Sequence, residues 1–460
     1  MSLWSSSHHG HMRRAIALIF IWAWVVLLFT QLDFHRSRHE IWASEWTRPA
    51  SVEPDQAADI FAIPPLKSKA IKEVCRLTTW NENLVFTCNE SYGGIGNIRN
   101  SVLHCIRYAI QAGASLVLPR IVLRSVYAIQ DIETEQTADF SYMFDTQHFL
   151  KSIRLSCPQM KIHTSFDGIL NTTNTGDSGG IVLSLKPESL VEGGVPRTGL
   201  PEPEVWREQF YLWLQGQVDV TESRPSTHTI INLQRSYMTY PVYSDGEEFA
   251  LSFASILQFR NDTRVLATKV LKALMKQFSL HVDLDRDVFP NAFFGAHLRT
   301  EADSKFAWES AGDYWFYSHY QNQVEVFLKQ APRSNPTVIY VASGDLAEAA
   351  RFANDAAKLP APNNYTVVTK SNLLNGASLQ ALEALTFDQQ ALVDYLVLLE
   401  ASDFAGVAHS SFAWCVALKR HQHARRKRDY LDAPEMLDDD LSKIYGTVKD
   451  FGDYPSVLWP

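Results

Sequence analysis

Four side chains that could bind or transfer a charged group follow one short apolar stretch, "NAFFGAHLRTEAD". They are His297, Arg299, Glu301 and Asp303, and they occupy alternating positions. Because alternating residues of a β-strand share a face, all four would point the same way if the strand extended that far. An arginine at the carboxyl end of a strand in an open α/β sheet suits a phosphate ligand. A structural ion pair between Arg299 and one of the carboxylates is the alternative.

A glycine-rich loop, "YGGIGNIRN", is a second candidate site for an anion. Gly93, Gly94 and Gly96 let a ligand approach the backbone closely, and the loop opens a helix whose first N–H groups could bind phosphate. The dinucleotide pattern G-x-G-x-x-G fails because Arg99 stands at its last glycine, and no Gly-Lys-Ser/Thr follows as in a P-loop. A purely structural turn is the alternative.

A third candidate is the sequence "FAGVAHSSFAWCVALKR", which predicts a strand, then Ser410 and Ser411, then a helix. The two hydroxyls and the free N–H groups at the start of this helix offer another anion cradle. Simple N-capping of the helix by one of the serines is the alternative.

The five residues "GDSGG", at positions 176–180, match the segment around the nucleophilic serine of trypsin-like proteases. That chemistry needs a histidine base held by a buried aspartate, and the upstream candidate His104 lies within an amphipathic helix. Trypsin-like folds consist of two β-barrels, whereas this sequence alternates helices and strands. Ser178 is therefore interpreted as a turn residue.

The elements that must position these candidates alternate between helix and strand. "NLVFTCNESYGGIGNIRNSVLHCIRYAIQAGASLVLPRI" predicts a βαβ unit of a parallel sheet. The alternation restarts after "VDLDRDVFPN", with apolar runs in "NAFFGAHLR", "PTVIYVAS" and "YTVVTK". Residues 176–204 are rich in Gly, Pro, Ser and Thr and are predicted as loop. The fold class is therefore α/β, with an N-terminal domain over 71–282 and a C-terminal domain over 283–460.

The N-terminal residues 15–32 carry no charge and predict a membrane-spanning helix about 27 Å long, sufficient for a thin bilayer. A cleaved signal peptide is the alternative, although no convincing small-x-small cleavage site follows. We expect a signal anchor with a cytosolic tail over residues 1–14 and a polar stem over 33–70. The bulk of the chain then lies in the lumen of the endoplasmic reticulum or Golgi.

A luminal location makes the sequons and cysteines interpretable. Asn-x-Ser/Thr sequons predict glycosylation at Asn89, Asn171, Asn261 and Asn364. Of the five cysteines, Cys75 and Cys88 are expected to pair because they would close a short loop. Cys415 lies in an apolar helical pattern and is expected to be a buried free thiol.

The charged residues argue against two classes of partner. A formal net charge of −9 gives no support to a nucleic-acid partner, and the basic run "ARRKRD" is interpreted as solvated surface. The acidic run Asp283, Asp285 and Asp287 lacks the glycine and the bidentate glutamate of an EF-hand, and no Cys-x-x-Cys spacing suits zinc. No metal site is predicted, and the acidic run is interpreted as a polar linker.

Four stretches taken together resemble the GDP-fucose O-fucosyltransferase family, which includes protein O-fucosyltransferases and their plant relatives. The glycine loop with "IRYAIQAGASLVLPR", then "HLRTEAD", "IYVASGD" and "DFAGVAHSSFAWCVALKR", look like the successive blocks of that family. These blocks span residues 92–121, 292–305, 337–350 and 395–421. Their order, their spacing and the predicted membrane anchor carry the resemblance.

The resemblance implies a GT-B fold, in which two Rossmann-like domains hold the nucleotide sugar in the cleft between them. It implies an inverting transfer of fucose from GDP-fucose to a protein or glycan hydroxyl, with no metal or other cofactor. Arg299 matches the arginine that holds the departing diphosphate, and Glu301 and Asp303 are further catalytic candidates. The predicted substrate-binding residues, besides Arg299, are Gly94, Gly96, Asn97, His297, Ser410, Ser411 and Phe412.

The chemistry of the reaction fits these residue types independently of the resemblance. Breaking a sugar–phosphate bond develops charge on the nucleotide, which a fixed guanidinium and helix N–H groups can stabilise. Two alternatives stay open: a transferase of the same fold that uses another nucleotide sugar, and a luminal protein that binds a nucleotide sugar or glycoprotein without turnover.

Overall fold

Two parallel β-sheets flanked by helices organise the chain in the computed structural model. The structure describes residues 59–125, 127–167, 169, 180–217, 228–284, 286–304, 316–334, 336–360, 365–425 and 435–460. All of them belong to one compact unit, Ala58–Pro460.

The first half of this unit holds one sheet and the helices that cover it. Its elements are α1 (Lys69–Leu77), β1 (Leu84–Thr87), α2 (Ile95–Ala112), β2 (Ser115–Val117), β3 (Ile121–Val122), β4 (Thr137–Ala138), α3 (Thr146–Ser156), β5 (Ile162–His163), β6 (Gly180–Leu185), α4 (Trp206–Gln217), β7 (His228–Leu233), α5 (Glu247–Phe253) and α6 (Asn261–Gln277).

The second half repeats this organisation around a sheet of its own. Its elements are β8 (Phe294–His297), α7 (Tyr320–Gln330), β9 (Val338–Ala342), α8 (Leu346–Ala357), β10 (Thr366–Val368), α9 (Lys370–Leu373), α10 (Gly376–Glu383), α11 (Phe387–Leu399), β11 (Asp403–Val407), α12 (Ser411–His421), β12 (Ser442–Tyr445), α13 (Val448–Phe451) and α14 (Tyr454–Val457).

Each sheet has five strands, in the order β5-β2-β1-β7-β6 in the first half and β10-β9-β8-β11-β12 in the second. Neighbouring strands are parallel in both sheets, while β3 and β4 form a small antiparallel ribbon. Every residue of the central strands β8, β9 and β11 is buried, because helices cover both faces of a parallel sheet. The predicted α/β class with parallel sheets is confirmed.

The two halves share an apolar core. The largest cluster of buried hydrophobic residues contains side chains from both, and helices α6 and α11 pack against each other within it. At this contact the rings of Phe259 and Tyr395 meet edge to face, with their centroids 5.2 Å apart. The predicted domain boundary at 282/283 falls in the connection between α6 and β8 and stays a prediction.

The segment 454–460 crosses from the second half to helix α2 of the first. The Arg99 guanidinium donates to the backbone oxygens of Trp459 (2.7 Å) and Pro460 (2.9 Å). Asn100 accepts from the Trp459 N–H at 3.1 Å, and the fully buried Trp459 ring packs on Phe253. This segment, rather than a ligand, therefore holds Arg99.

Two expectations about local structure prove wrong. Strand β6 lies inside the region 176–204 that was predicted as loop, because all six of its residues pair in register with β7 at the edge of the sheet. The disulfides join Cys75 to Cys157 and Cys88 to Cys105, so Cys75 does not pair with Cys88. Helix α1 packs on α3, and strand β1 lies beneath α2. These contacts bring together cysteines that sequence spacing does not connect.

Other expectations have different outcomes. Cys415 is free and buried, as predicted. The predicted span 15–32 and the segment "GDSGG" up to residue 179 lie outside the described residues, as do Asn171 and Asn364. Within the described part of the chain, no helix is long and apolar enough to cross a membrane. Asn261 is exposed and Asn89 is half-buried, and glycosylation at the predicted sequons stays a prediction.

Candidate active site

A cavity of about 300 Å³ lies between the two halves of the unit. The glycine loop, Arg124 and Tyr237 line it from the first half, and the loops that follow β8, β9 and β11 line it from the second. Every predicted catalytic or substrate-binding residue contributes to its wall: Gly94, Gly96, Asn97, His297, Arg299, Glu301, Asp303, Ser410, Ser411 and Phe412.

A larger and more open groove, of about 1230 Å³, lies elsewhere, beside Asp403 at the first residue of strand β11. It contains none of the predicted site residues. In open α/β sheets ligands bind at the carboxyl ends of the strands, which is where the smaller cavity lies. The smaller cavity is therefore the candidate active site.

Two helices begin side by side at this cavity, one from each half. Helix α2 starts after Gly94 and helix α12 starts after Ser410, whose hydroxyl accepts from the Ala413 N–H at 3.3 Å. The Ser411 hydroxyl donates to Asn97 at 2.6 Å. The positive ends of two helix dipoles therefore converge on one space, which favours an anion there.

Gly96 allows this close approach. A Cβ atom at position 96 would lie 2.6 Å from the backbone carbon and the hydroxyl oxygen of Ser411, closer than non-bonded atoms can come. A side chain here would push the two helix starts apart. The glycine loop is thus shaped by helix–helix contact as well as by any ligand.

Strand β8 ends at His297, so it does not extend to Asp303, which was the condition for the four side chains to share one strand face. The Leu298 N–H still donates to Ala342 in the neighbouring strand at 2.9 Å. At Arg299 the side-chain amide of Gln323 takes over, accepting from the Arg299 N–H and donating to its carbonyl, both at 2.9 Å. The chain turns after this point, and the turn brings the side chains of 299, 301 and 303 together.

The Arg299 guanidinium is held by both nearby carboxylates. It donates to Glu301 at 2.8 Å and to the two carboxylate oxygens of Asp303 at 2.7 and 2.9 Å. The structural ion pair considered as an alternative is therefore present. Because Arg299 stays 24% exposed on the cavity side, it can still meet a ligand there.

The two carboxylates are held in their ionised form. Burial raises the pKa of Asp303, but the hydrogen bonds and charge of Arg299, with help from Arg124, outweigh it and bring this pKa to about 2. The pKa of Glu301 is also lowered, because Arg299 and the Gly344 N–H at 2.8 Å outweigh the cost of burial. In this arrangement both groups are weak bases that orient Arg299.

His297 is neutral and part of the cavity wall. Burial lowers its pKa to about 4, and its ring lies against Phe412 with centroids 4.4 Å apart. Its Nδ1 is 3.4 Å from the Ser410 hydroxyl. Both predicted roles of Ser410 converge here, because the same hydroxyl caps α12 and lines the cavity.

Sequence patterns did not predict several charged residues of the site. Arg124 reaches Asp303 from the first half, with Nη1 3.0 Å from Oδ2, and its Nε lies 3.3 Å from Asp388. Lys370 forms a buried ion pair of 2.6 Å with Asp394, and both residues line the cavity. Burial raises the pKa of Asp388, although Arg124 opposes the shift. No local motif surrounds these residues, so only the folded arrangement identifies them.

The described residues contain no group of three or more His, Cys, Asp and Glu side chains placed to hold a metal ion. The positive charge that the described residues bring to the cavity comes from Arg124, Arg299, Lys370 and the helix N-termini. That catalysis proceeds without a metal stays a prediction.

Comparison with known proteins gives a family for the chain. The model of the family "GDP-fucose protein O-fucosyltransferase" matches residues 84–423. No curated protein sequence matches the chain significantly. Similar solved structures include POFUT1 in complex with GDP, at 13% identity, covering 80% of this chain and 100% of that one, with a TM-score of 0.45.

Two other fucosyltransferase structures are similar over most of the chain. A mutant of FUT1 from Arabidopsis thaliana in complex with GDP is 11% identical, covers 77% of this chain and 73% of that one, and has a TM-score of 0.40. NodZ from Bradyrhizobium is 17% identical, covers 74% and 93%, and has a TM-score of 0.37. Since these scores are low, the assignment rests on the family model, which spans well over half of the sequence. The chain belongs to the GDP-fucose protein O-fucosyltransferase family and is a glycosyltransferase.

Proposed function

We propose that this protein transfers fucose from GDP-fucose to a hydroxyl of a protein or glycan acceptor, with inversion at the sugar. One observation carries the proposal: Arg299 and the N-termini of α2 and α12 face the same cavity between two parallel sheets. The proposal includes a GT-B arrangement, in which the second half binds the nucleotide sugar and the first half faces the acceptor.

The chemistry follows from where charge develops. Breaking the bond between the sugar carbon and the diphosphate oxygen leaves added negative charge on GDP. The planar fork of Arg299 can donate two hydrogen bonds to that oxygen-rich group, and the two helix N-termini add N–H donors and positive potential. Removing any of these donors should therefore slow the bond-breaking step more than it weakens binding of the sugar.

Attack by the acceptor hydroxyl from the face opposite the diphosphate would invert the sugar. The acceptor's proton needs a base, for which Glu301 and Asp303 are the candidates. Both accept hydrogen bonds from Arg299, so either can take the acceptor's proton only after that ion pair opens.

A panel of nucleotide sugars tests the donor. GDP at 100 times its dissociation constant should stabilise the protein by about 2.7 kcal/mol, and GDP-fucose should stabilise it and be consumed. GDP-mannose and UDP-galactose serve as matched alternatives for the sugar and the base. Stabilisation by UDP-galactose but not by GDP would refute the proposed donor, whereas GDP binding without consumption of any donor would favour a binding protein.

The proposed location is the membrane of the endoplasmic reticulum or Golgi, with residues 15–32 as a single signal anchor and the catalytic part in the lumen. The uncharged character of residues 15–32 supports this location, and the two disulfides are compatible with an oxidising lumen. In sealed microsomes, added protease should spare everything beyond the stem. Digestion of the bulk of the chain without detergent would refute this topology.

A further inference from the structure

Arg124 reaches the candidate active site from the opposite half of the molecule. It follows strand β3, donates to the Ile129 carbonyl, and lies over the ring of Phe387, whose centroid is 5.4 Å from its guanidinium carbon. Its side chain is only 7% exposed. These contacts hold one guanidinium in a fixed position at the cavity wall.

The same guanidinium connects two carboxylates of the second half. Its Nη1 donates to Oδ2 of Asp303 at 3.0 Å, and its Nε lies 3.3 Å from Oδ1 of Asp388. Oδ2 of Asp303 also accepts from Arg299 at 2.9 Å, so a single carboxylate lies between two arginines. A carboxylate in that position uses the donors that a phosphate oxygen would use.

Nη1 and Nη2 of Arg299 form an end-on fork, and both are bonded to Asp303. A diphosphate that binds this fork therefore displaces the carboxylate. The displaced carboxylate would then be a buried charge beside the incoming diphosphate. Leaving a buried charge unpaired is strongly unfavourable, so the exchange needs a second cation for Asp303.

Building on the proposed function, we propose that Arg124 is a positioning residue that retains Asp303 when the diphosphate takes its place on Arg299. Arg124 acts on the donor through Asp303 rather than by touching it. Because Arg124 belongs to the first half and Asp303 to the second, donor binding then depends on a contact between the halves.

A double-mutant cycle on nucleotide binding tests this role. Arg124→Met keeps the length of the side chain and removes its charge, and we expect the dissociation constant for GDP to rise about 10- to 100-fold. In an Asp303→Asn background no displaced charge has to be retained, so adding Arg124→Met should change the constant less than about threefold. KM for GDP-fucose should follow the dissociation constant, while kcat changes less.

Controls separate this role from simpler ones. Arg120 lies four residues before Arg124 and forms a surface ion pair with Asp139. Arg120→Met removes this pair and should leave GDP binding unchanged. Arg124→Lys keeps the charge and should retain most of the affinity, which also provides a variant that folds if Arg124→Met does not. Melting temperatures, measured for each variant, correct the constants for folded fraction.

Three outcomes would overturn the proposal. Equal losses from Arg124→Met with and without Asp303→Asn would mean that Arg124 contacts the nucleotide directly. A lower melting temperature with unchanged GDP affinity per folded molecule would mean that Arg124 only holds the fold together. Loss of GDP affinity in Arg124→Lys equal to that in Arg124→Met would exclude a role for its charge. If the unsubstituted protein binds no GDP, the proposed function itself fails, which distinguishes the two failures.

Discussion

Replacing Arg299 separates catalysis from structure at this site. Arg299 donates three charge-assisted hydrogen bonds, one to Glu301 and two to Asp303. In Arg299→Ala, Asp303 still accepts a hydrogen bond from Arg124. Glu301 still accepts one from the Gly344 N–H, so neither carboxylate loses every partner. We therefore expect a loss of about 2–4 kcal/mol in the free energy of unfolding, below or near the range for breaking a fully buried pair. Turnover should fall further, by about 10²- to 10³-fold, the scale of losing one preorganised donor to a developing anion.

Arg299→Lys divides these two effects. The ammonium keeps a positive charge beside Glu301 and Asp303 and should restore most of the stability. It cannot reproduce the planar fork, so turnover should recover little.

The assay is turnover per folded molecule, with GDP affinity and melting temperature measured on the same samples. Arg333→Ala is a matched control, because Arg333 pairs with Asp403 and Asp438 in the same half, beside the larger groove and outside the candidate active site. That control should lower the melting temperature and leave turnover per folded molecule unchanged. Near-normal turnover in folded Arg299→Ala protein would refute the catalytic role of Arg299.

Three further predictions concern the helix starts, the pH dependence and the metal. Gly96→Ala should lower the free energy of unfolding by about 1–3 kcal/mol and weaken GDP binding measured by calorimetry, because the new Cβ would lie 2.6 Å from Ser411. Unchanged GDP affinity would show that this helix contact does not shape the site. Burial raises the pKa of Glu400 to about 8, so its stabilising contribution is complete below about pH 4.5 and is lost as the pH rises through 8. Thermal denaturation of Glu400→Gln should therefore show a gain in stability over the unsubstituted protein between pH 5 and pH 8, on the order of 1–3 kcal/mol. A difference in stability that stays constant across that range would contradict the pKa shift. Fucose transfer should persist in excess chelator, and complete loss that added manganese restores would refute a metal-independent reaction.

Sequence patterns predicted the parts of this fold that depend on local burial. Strands β8, β9 and β11 are buried on both faces, so each appears in the sequence as a largely apolar run, with Asp403 and His297 as the polar residues. Helices α2 and α12 begin where glycines or serines mark a helix start, and they face one cavity because the carboxyl ends of parallel strands meet at one edge. Local patterns were therefore sufficient to predict that these site residues lie together, without knowledge of long-range contacts.

Residues placed by contacts between the halves could not be predicted in this way. Arg124 and Asp303 are 179 positions apart, and nothing near Arg124 in the sequence marks it as part of a site. Edge strand β6 lies in a stretch whose Gly and Ser content favours a loop, and only its pairing with β7 defines it. The disulfides likewise follow from packing, since Cys75 meets Cys157 across two helices. Each of these features depends on tertiary contacts that short-range periodicity does not encode.

The crossing segment 454–460 has a consequence for how this chain assembles during synthesis. Its backbone is bonded to Arg99, Asn100 and His104, which come 353 to 361 positions earlier, and Trp459 completes the core around α5. At translation rates of about 5–20 residues per second, roughly 20–70 s separate the synthesis of α2 from that of its partners. During that interval the buried polar side chains of α2 have no partner from this segment. The first half therefore cannot reach its final state as it emerges from the ribosome, and its folding is expected to finish only after the second half has been made.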